Sequence, residues 1–312
     1  MTNLLLPRGV YRIRLSPEQG GVRLDQLLRA ELPWLSRGNA RRVIDLGGVH
    51  IDGRRVRRCS LTLASGQSLE VHIDGLPLSP FALDDAQVLF RDDYLLALDK
   101  PAGVATQPTP ARFQGTLYAA VQKFLGRGAD AELGMVQRLD RDTSGVMVFS
   151  IHPRAHRQLT KAFSEHRVDK RYLALLAGTP PEDSGEIRSL LARRHATNRM
   201  VSVERGGKPA ITRYRVIQRF AEATLVEVVL LTGRTHQIRV HFAESGCPLL
   251  GDATYGGPVN CVGRPVLRQM LHASELRLEH PVTAVQCDWR AGLPEDFDSL
   301  LRQLRLTEGI SN

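Results

Sequence analysis

Residues 136–145 read Val-Gln-Arg-Leu-Asp-Arg-Asp-Thr-Ser-Gly and run directly into the apolar stretch Val146-Met147-Val148-Phe149. The apolar run has the character of a strand, so the polar run before it must be a loop delivered at a strand's edge. An ordinary surface loop has no need of an acid set between two arginines. A carboxylate kept ionised by flanking cations does have that need, because nearby positive charge lowers its pKa and fits it to act as nucleophile or base. Asp140, between Arg138 and Arg141, is therefore the leading catalytic candidate. Taken alone, the same pattern is also met by an aspartate in a loop salt bridge, which is the commoner case. Asp142, Thr143 and Ser144 can shape the turn through side-chain hydrogen bonds to the backbone.

The chain has 312 residues, 42% of them hydrophobic, enough for one large domain or two unequal ones. Its formal charge is +9 and its sequence pI about 9.8. A polyanionic partner fits that balance, with RNA or DNA first. Cys59, Cys247, Cys261 and Cys287 are scattered without a C-x-x-C pair, which argues against zinc and redox chemistry and for reduced thiols in the cytoplasm. Leu4-Leu5-Leu6 is too short for a signal peptide, and no run reaches the roughly 20 apolar residues of a membrane helix.

Residues 1–20 read as an N-terminal arm, with Tyr11, Ile13 and Leu15 alternating against Val10, Arg12 and Arg14 as in a short strand. Residues 21–75 form a compact module. Leu24, Leu27 and Leu28 have helical spacing, and Ser36 can cap a second helix from Arg37 to Leu46 that ends at Gly47-Gly48. Val49-His50-Ile51 followed by Asp52-Gly53 predicts a strand and a tight hairpin turn, and Leu69–Ile73 a closing strand. Arg37, Arg41, Arg42, Arg54 and Arg55, with Arg57 and Arg58, are opposed only by Asp45 and Asp52. They suit a phosphate-gripping surface, or else a solvated charged face. Residues 76–81 read as a linker, 82–305 as one α+β domain without internal repeats, and 306–312 as a tail.

Within the large domain, Tyr94–Leu98 reads as a buried strand that turns at Lys100-Pro101-Ala102-Gly103. Pro153 to about His166 reads as a helix and Lys170–Leu176 as a strand. Tyr172 on that strand can be a half-buried strand tyrosine or can lie against a nucleobase. From Arg188 to Arg219 the chain carries Arg188, Arg193, Arg194, Arg199, Arg205, Lys208, Arg213, Arg215 and Arg219, with Glu204 the only acid, as an RNA-backbone track would. A strand over Thr224–Leu231 stops at Thr232-Gly233-Arg234, and Thr235 can cap a helix running to Gly246. On such a helix His236 and His241 would lie about 140° apart, too far round to chelate one metal.

These segments resemble the RluA-type pseudouridine synthases. The matching stretches are Asp99–Gly103, Arg138–Gly145, Lys170–Tyr172, Thr232–His241, Gly251–Gly256, and Leu271–Ala273 with His280-Pro281, in the family's order. The module at 21–75 resembles the small RNA-binding domain named after ribosomal small-subunit protein four, through Val22–Leu28, Leu35–Arg37 and Ile44–Gly53. The resemblance implies a mixed, largely antiparallel sheet with flanking helices and the isomerisation of uridine to pseudouridine in structured RNA, without metal or organic cofactor. It matches Asp140 to the catalytic aspartate, Tyr172 to the tyrosine that stacks on the base, and Arg239 to the basic partner of the aspartate. It places Arg138, Arg141, Thr143, Arg234, His236, Gln237 and Ile238 around the substrate. Large-subunit ribosomal RNA is the expected target, with transfer RNA or a non-catalytic ribosome-assembly role as alternatives, and a monomer is expected. Asp140 could attack the ribose anomeric carbon or remove a ribose proton to give a glycal. One position departs from the family: Gln137 stands where a histidine usually precedes Arg-Leu-Asp, which keeps hydrogen bonding but loses titration.

Overall fold

A computed structural model describes residues 5–126, 128, 133–194 and 196–309. The chain divides into two compact units, a smaller one holding residues 5–84 and 104–126 and a larger one holding 85–103 and 133–309.

In the smaller unit, helices Leu24–Glu31 and Arg37–Leu46 pack on a four-stranded antiparallel sheet ordered Gly9–Arg14, Ser68–Ile73, Val49–Ile51, Arg54–Val56. The expected helical spacing is met: Leu24, Leu27 and Leu28 bury completely or nearly so. Ser36 accepts a hydrogen bond from the Asn39 amide at 3.2 Å, a cap that contributes about 1 kcal/mol. Gly47 closes this helix at φ 90°, and a Cβ on Gly48 would lie 2.6 Å from the His72 carbonyl oxygen. Asp52 and Gly53 both take positive φ, as the two-residue hairpin turn demands. Residues 104–126, which the sequence reading places inside the large domain, pack with this unit. Arg112 makes a bidentate pair with Asp74 (2.7 and 2.9 Å), and helix Leu117–Phe124 starts at the Thr116 cap.

Among the described residues of the larger unit, eleven strands form one sheet. Its main path runs Arg199–Val203, Ser184–Arg194, Lys208–Arg219, Ala223–Leu230, Asp169–Ala177, Leu271–Glu279, Ser144–Ser150, Leu95–Lys100, Val88–Arg91. Every pairing is antiparallel except that between Leu271–Glu279 and Ser144–Ser150. This is the mixed, largely antiparallel sheet expected of the α+β class. Helices Pro153–Ser164, Gln237–Glu244 and Glu295–Thr307 flank it. Strand Ser144–Ser150 is buried along its whole length. Each of its larger apolar side chains contributes roughly 1.5–3 kcal/mol, so the loop before it leaves a rigid base. Gly145 is obligatory there. Its φ is 113°, and a Cβ would sit 2.2 Å from the Ala273 carbonyl oxygen of the parallel neighbour. No helix among the described residues is long and apolar enough to cross a membrane.

Candidate active site

The loop ahead of strand Ser144–Ser150 is held from beneath by two buried cations. The Lys100 ammonium is fully enclosed and donates to the carbonyls of Pro101, Arg141 and Thr143 at 2.8–2.9 Å, which uses all three of its N–H groups. Burial pushes its pKa down to about 7, against the pull of Asp142 and Asp140. Arg268, anchored on Asp296, donates to the Asp142 carbonyl at 3.0 Å. The Thr143 amide closes back on the Asp140 carbonyl at 3.1 Å. The Asp140 carboxylate, 21% exposed, is thereby presented on a fixed backbone.

Asp140 meets its cation from across the chain. Arg239, on helix Gln237–Glu244, donates Nη1 to Asp140 Oδ2 at 2.8 Å. Its Nε and Nη2 make a bidentate pair with Asp252 at 2.6 and 2.8 Å. Burial works against the guanidinium charge, but Asp252 and then Asp140 outweigh it and raise its pKa further. Local charge points to Arg138 and Arg141 as the cations that keep Asp140 ionised, and the family resemblance to Arg239; of the three it is Arg239 that meets the carboxylate, while the other two side chains go elsewhere. Arg141 pairs with Asp142 (2.9 and 2.8 Å), and Arg138 donates to the Thr235 hydroxyl at 3.0 Å. Tyr172, 8% exposed on strand Asp169–Ala177, is close enough for Asp140 to act on its ionisation. Burial first and that carboxylate second push the phenol far above its ordinary pKa, so it stays protonated.

The turn into helix Gln237–Glu244 differs from the expected Thr235 cap. His236 is the N-cap residue, in left-handed backbone at φ 55°. Thr235 can then receive Arg138, and His236 turns its ring toward Asp140, with Nε2 3.6 Å from Oδ2. Gln237 is spent on structure. Its carbonyl oxygen accepts from the Thr232 hydroxyl and the Arg234 amide, and its amide donates to Ile211 O and Thr212 Oγ1. Ile238 is buried, Thr143 accepts from Gln269 Nε2 at 3.3 Å, and Arg234 donates to the Pro209 carbonyl at 2.9 Å. Gln137, the departure from the family pattern, has a buried Nε2 without a hydrogen-bond partner among the described residues. His241 turns away from His236, bonding Thr212 and Ser189.

Three contributors escaped the sequence reading: Lys100, Asp252 and Tyr255. Lys100 lies in a segment that reads as a plain turn. Asp252 and Tyr255 lie in the resembling stretch Gly251–Gly256 without an evident role. The only signal in the sequence is the glycine beside the acid, Gly251, and the structure gives its reason: φ is 77° and a Cβ there would fall 1.9 Å from the Arg268 carbonyl oxygen.

The model of the RNA pseudouridylate synthase family matches residues 94–244, and that of the S4 domain residues 22–68. The "Ribosomal large subunit pseudouridine synthase D" of Haemophilus influenzae is 33% identical over 314 residues, covering 96% of this chain and 96% of that protein. The chain belongs to the RNA pseudouridine synthases. The protein of the same title from Pseudomonas aeruginosa is 35% identical, covering 92% of this chain and 93% of the relative. Among solved structures, "Human RNA Pseudouridylate Synthase Domain Containing 4" aligns with a TM-score of 0.58 at 26% identity, covering 70% of this chain and 93% of that one.

The basic residues of this pseudouridine synthase divide into tied and free ones. Arg23, Arg37 and Arg41 of the S4 domain converge on the wholly buried Asp25 at 3.0–3.3 Å. Hydrogen bonds, that from Arg23 foremost, hold the Asp25 carboxyl far below the usual carboxylate range. Arg37 and Arg41 nonetheless remain half-exposed. Arg55 donates to the Thr109 carbonyl, and Arg57 lies 4.8 Å from the centre of the Phe113 ring. Arg42 and Arg54 are exposed, without an ion pair among the described residues. In the large sheet, Arg188 and Arg213 share Glu186, Arg215 meets Glu227 and Arg219 meets Asp183. The acids missing from the 188–219 interval are supplied by flanking residues and a neighbouring strand. Arg194, Arg199, Arg205 and Lys208, at the ends of the hairpin strands, are exposed and unpaired among the described residues.

Proposed function

We propose that this synthase isomerises uridine in large-subunit ribosomal RNA, with Asp140 as its catalytic carboxylate. The observation that carries the assignment of Asp140 is its geometry. It is a partly exposed carboxylate on a rigid loop, charge-paired through one oxygen to a buried arginine and set near a buried, protonated tyrosine. The target uridine leaves its stack, because the reaction needs both the sugar and the far edge of the base. Arg138, exposed at the loop, can fill the vacated space. Tyr172 then lies against the uracil, and Asp140 acts on the ribose. Whether the carboxylate attacks the anomeric carbon or takes a ribose proton, it must be ionised, and Arg239 secures that through a charge-assisted hydrogen bond. Cleavage of the N-glycosidic bond, rotation of the uracil and joining of its carbon 5 to the ribose complete the isomerisation, with the carbon 5 proton lost to solvent.

Two kinds of support favour ribosomal RNA. The Haemophilus and Pseudomonas relatives carry large-subunit titles and align over nearly their whole length. The S4 domain and the free hairpin arginines add cationic surfaces suited to structured RNA. We place the protein in the cytoplasm as a monomer, working without metal or organic cofactor; its four cysteines are free thiols. The test is to map pseudouridines in ribosomal and transfer RNA from cells with and without the protein. Loss of one or more sites in large-subunit RNA alone is expected. Loss confined to transfer RNA would overturn the target, and no loss in any RNA would overturn the enzymatic role itself.

A further inference from the structure

We propose that Tyr255 fixes the tautomer of His236 so that its Nε2–H faces the Asp140 carboxylate, making His236 a second donor to the catalytic oxygen pair. The hydrogen-bond capacities of three groups decide the tautomer. The Met200 backbone amide, which can only donate, lies 3.2 Å from the Tyr255 hydroxyl, so the phenol oxygen accepts there. The phenol has one proton of its own, and His236 Nδ1 lies 2.8 Å away to receive it. Nδ1 is then the acceptor of the ring, and in the neutral imidazole the proton must reside on Nε2. Nε2 is 3.6 Å from Asp140 Oδ2.

The opposite assignment is electrostatically worse at both ends. With the proton on Nδ1, the phenol proton would have no acceptor among the described residues. The Nε2 lone pair would also point at a carboxylate oxygen. Burial lowers the pKa of His236, with Asp140 and Asp252 acting against that and Arg239 and Arg138 reinforcing it, so the neutral ring is the relevant species. The left-handed backbone at His236 is uncommon for a residue with a side chain, and it is what aims this ring. Tyr255 supports the other donor as well, its ring lying 5.0 Å from the Arg239 guanidinium.

An atomic assignment follows. Arg239 and His236 both address Oδ2 of Asp140, while Oδ1 has no hydrogen bond among the described residues. Oδ1 is therefore the oxygen presented to the ribose. His236 Nε2 stands beyond hydrogen-bond length in the free enzyme and closes on Oδ2 when substrate is seated. Tyr255 and His236 are thus positioning residues that act through Asp140.

This inference rests on Asp140 being the catalytic carboxylate, and its decisive readout needs no activity. Long-range ¹H–¹⁵N correlation spectra of histidine-labelled protein should show His236 with a protonated Nε2 and an unprotonated Nδ1. In Tyr255→Phe, which keeps the ring under Arg239, the spectrum should shift toward the Nδ1–H form. The same variant should lose on the order of ten-fold in kcat, the size of one hydrogen bond to a charged group, at unchanged KM. A glutamine at the same place offers an N–H without a tautomer, so Tyr255→Phe should cost no more than two-fold when added to His236→Gln. Wild-type His236 protonated at Nδ1, or equal losses from Tyr255→Phe in both backgrounds, overturns the proposal. Full activity of Asp140→Asn would instead overturn the assignment of Asp140 and leave the tautomer measurement standing.

Discussion

Replacing Asp252 by asparagine isolates what the second carboxylate contributes to the site. Arg239 spends Nε and Nη2 on Asp252 and offers only Nη1 to Asp140. Both Asp252 and Arg239 are buried, with 1% and 7% of their side chains exposed. In Asp252→Asn one accepting oxygen becomes an NH2 group that faces an N–H donor, and the guanidinium keeps Asp140 as its only negative partner. Removing one member of a buried ion pair costs about 3–5 kcal/mol. Because Asp140 remains to compensate the charge and the asparagine oxygen still accepts one bond, about 2 kcal/mol is the expected loss here. Expressed in the transition state, that is roughly 30-fold in kcat. KM should hold, since Arg239 acts on Asp140. Tritium release from RNA labelled at uracil carbon 5, under saturating RNA, measures the rate, and urea denaturation measures the stability. Asp252→Glu, which retains the charge, should recover part of the loss. A kcat for Asp252→Asn within two-fold of wild type, with unchanged stability, would refute the view that Asp252 orients Arg239.

Three further perturbations test the supports around this core. Lys100 has a folded pKa of about 7 against an ordinary 10.5, so above pH 7 the unfolded chain binds more protons at this position. Wild-type stability should therefore rise relative to Lys100→Met by about 2 kcal/mol between pH 7 and pH 9; a constant difference in denaturation experiments would contradict the lowered pKa of Lys100. Gly145→Ala should destabilise the protein by about 3 kcal/mol or more, since its Cβ meets the Ala273 carbonyl at 2.2 Å, and a normal melting temperature would contradict that packing. Substituting glutamine for both Arg194 and Arg199, which face each other in register, should lower the salt dependence of RNA binding by about 2 in log–log slope without loss of stability. An unchanged slope would place the RNA elsewhere.

The parts of this molecule that announce themselves in sequence are those governed by short-range rules. Helix Arg37–Leu46 has its serine cap and its glycine stop, and the Asp52-Gly53 turn has the residues its backbone demands. Strand Ser144–Ser150 is apolar because it is buried on both faces. The partnerships of charged groups are a different matter, because they are decided by what the fold brings together. Arg138 and Arg141 flank Asp140 in sequence, yet Thr235 and Asp142 take their guanidinium groups; the pairing arginine comes from ninety-nine residues away, and only the family resemblance, not local charge, points to it. Asp25 sits in the first turn of helix Leu24–Glu31, where an acid is ordinary, and the fold makes it the hub of three arginines. Lys100 looked like part of a turn because nothing local tells a lysine to fold inward. Three backbone carbonyls collected from two segments give it a reason to do so. The arginines of 188–219 have almost no acids among them in sequence because Glu186, Glu227 and Asp183 lie just outside the interval.

The central claim is that Asp140 performs the chemistry, and one measurement addresses it directly. Wild-type protein and Asp140→Asn are incubated with ribosomal RNA transcripts tritiated at uracil carbon 5, after spectroscopy has established that both are folded. Asparagine keeps the size of the side chain and a hydrogen-bond acceptor for Arg239 but cannot serve as nucleophile or base. Wild-type protein should release tritium and yield pseudouridine without free uracil, and Asp140→Asn should release none above background. Release at the wild-type rate by folded Asp140→Asn would contradict the account.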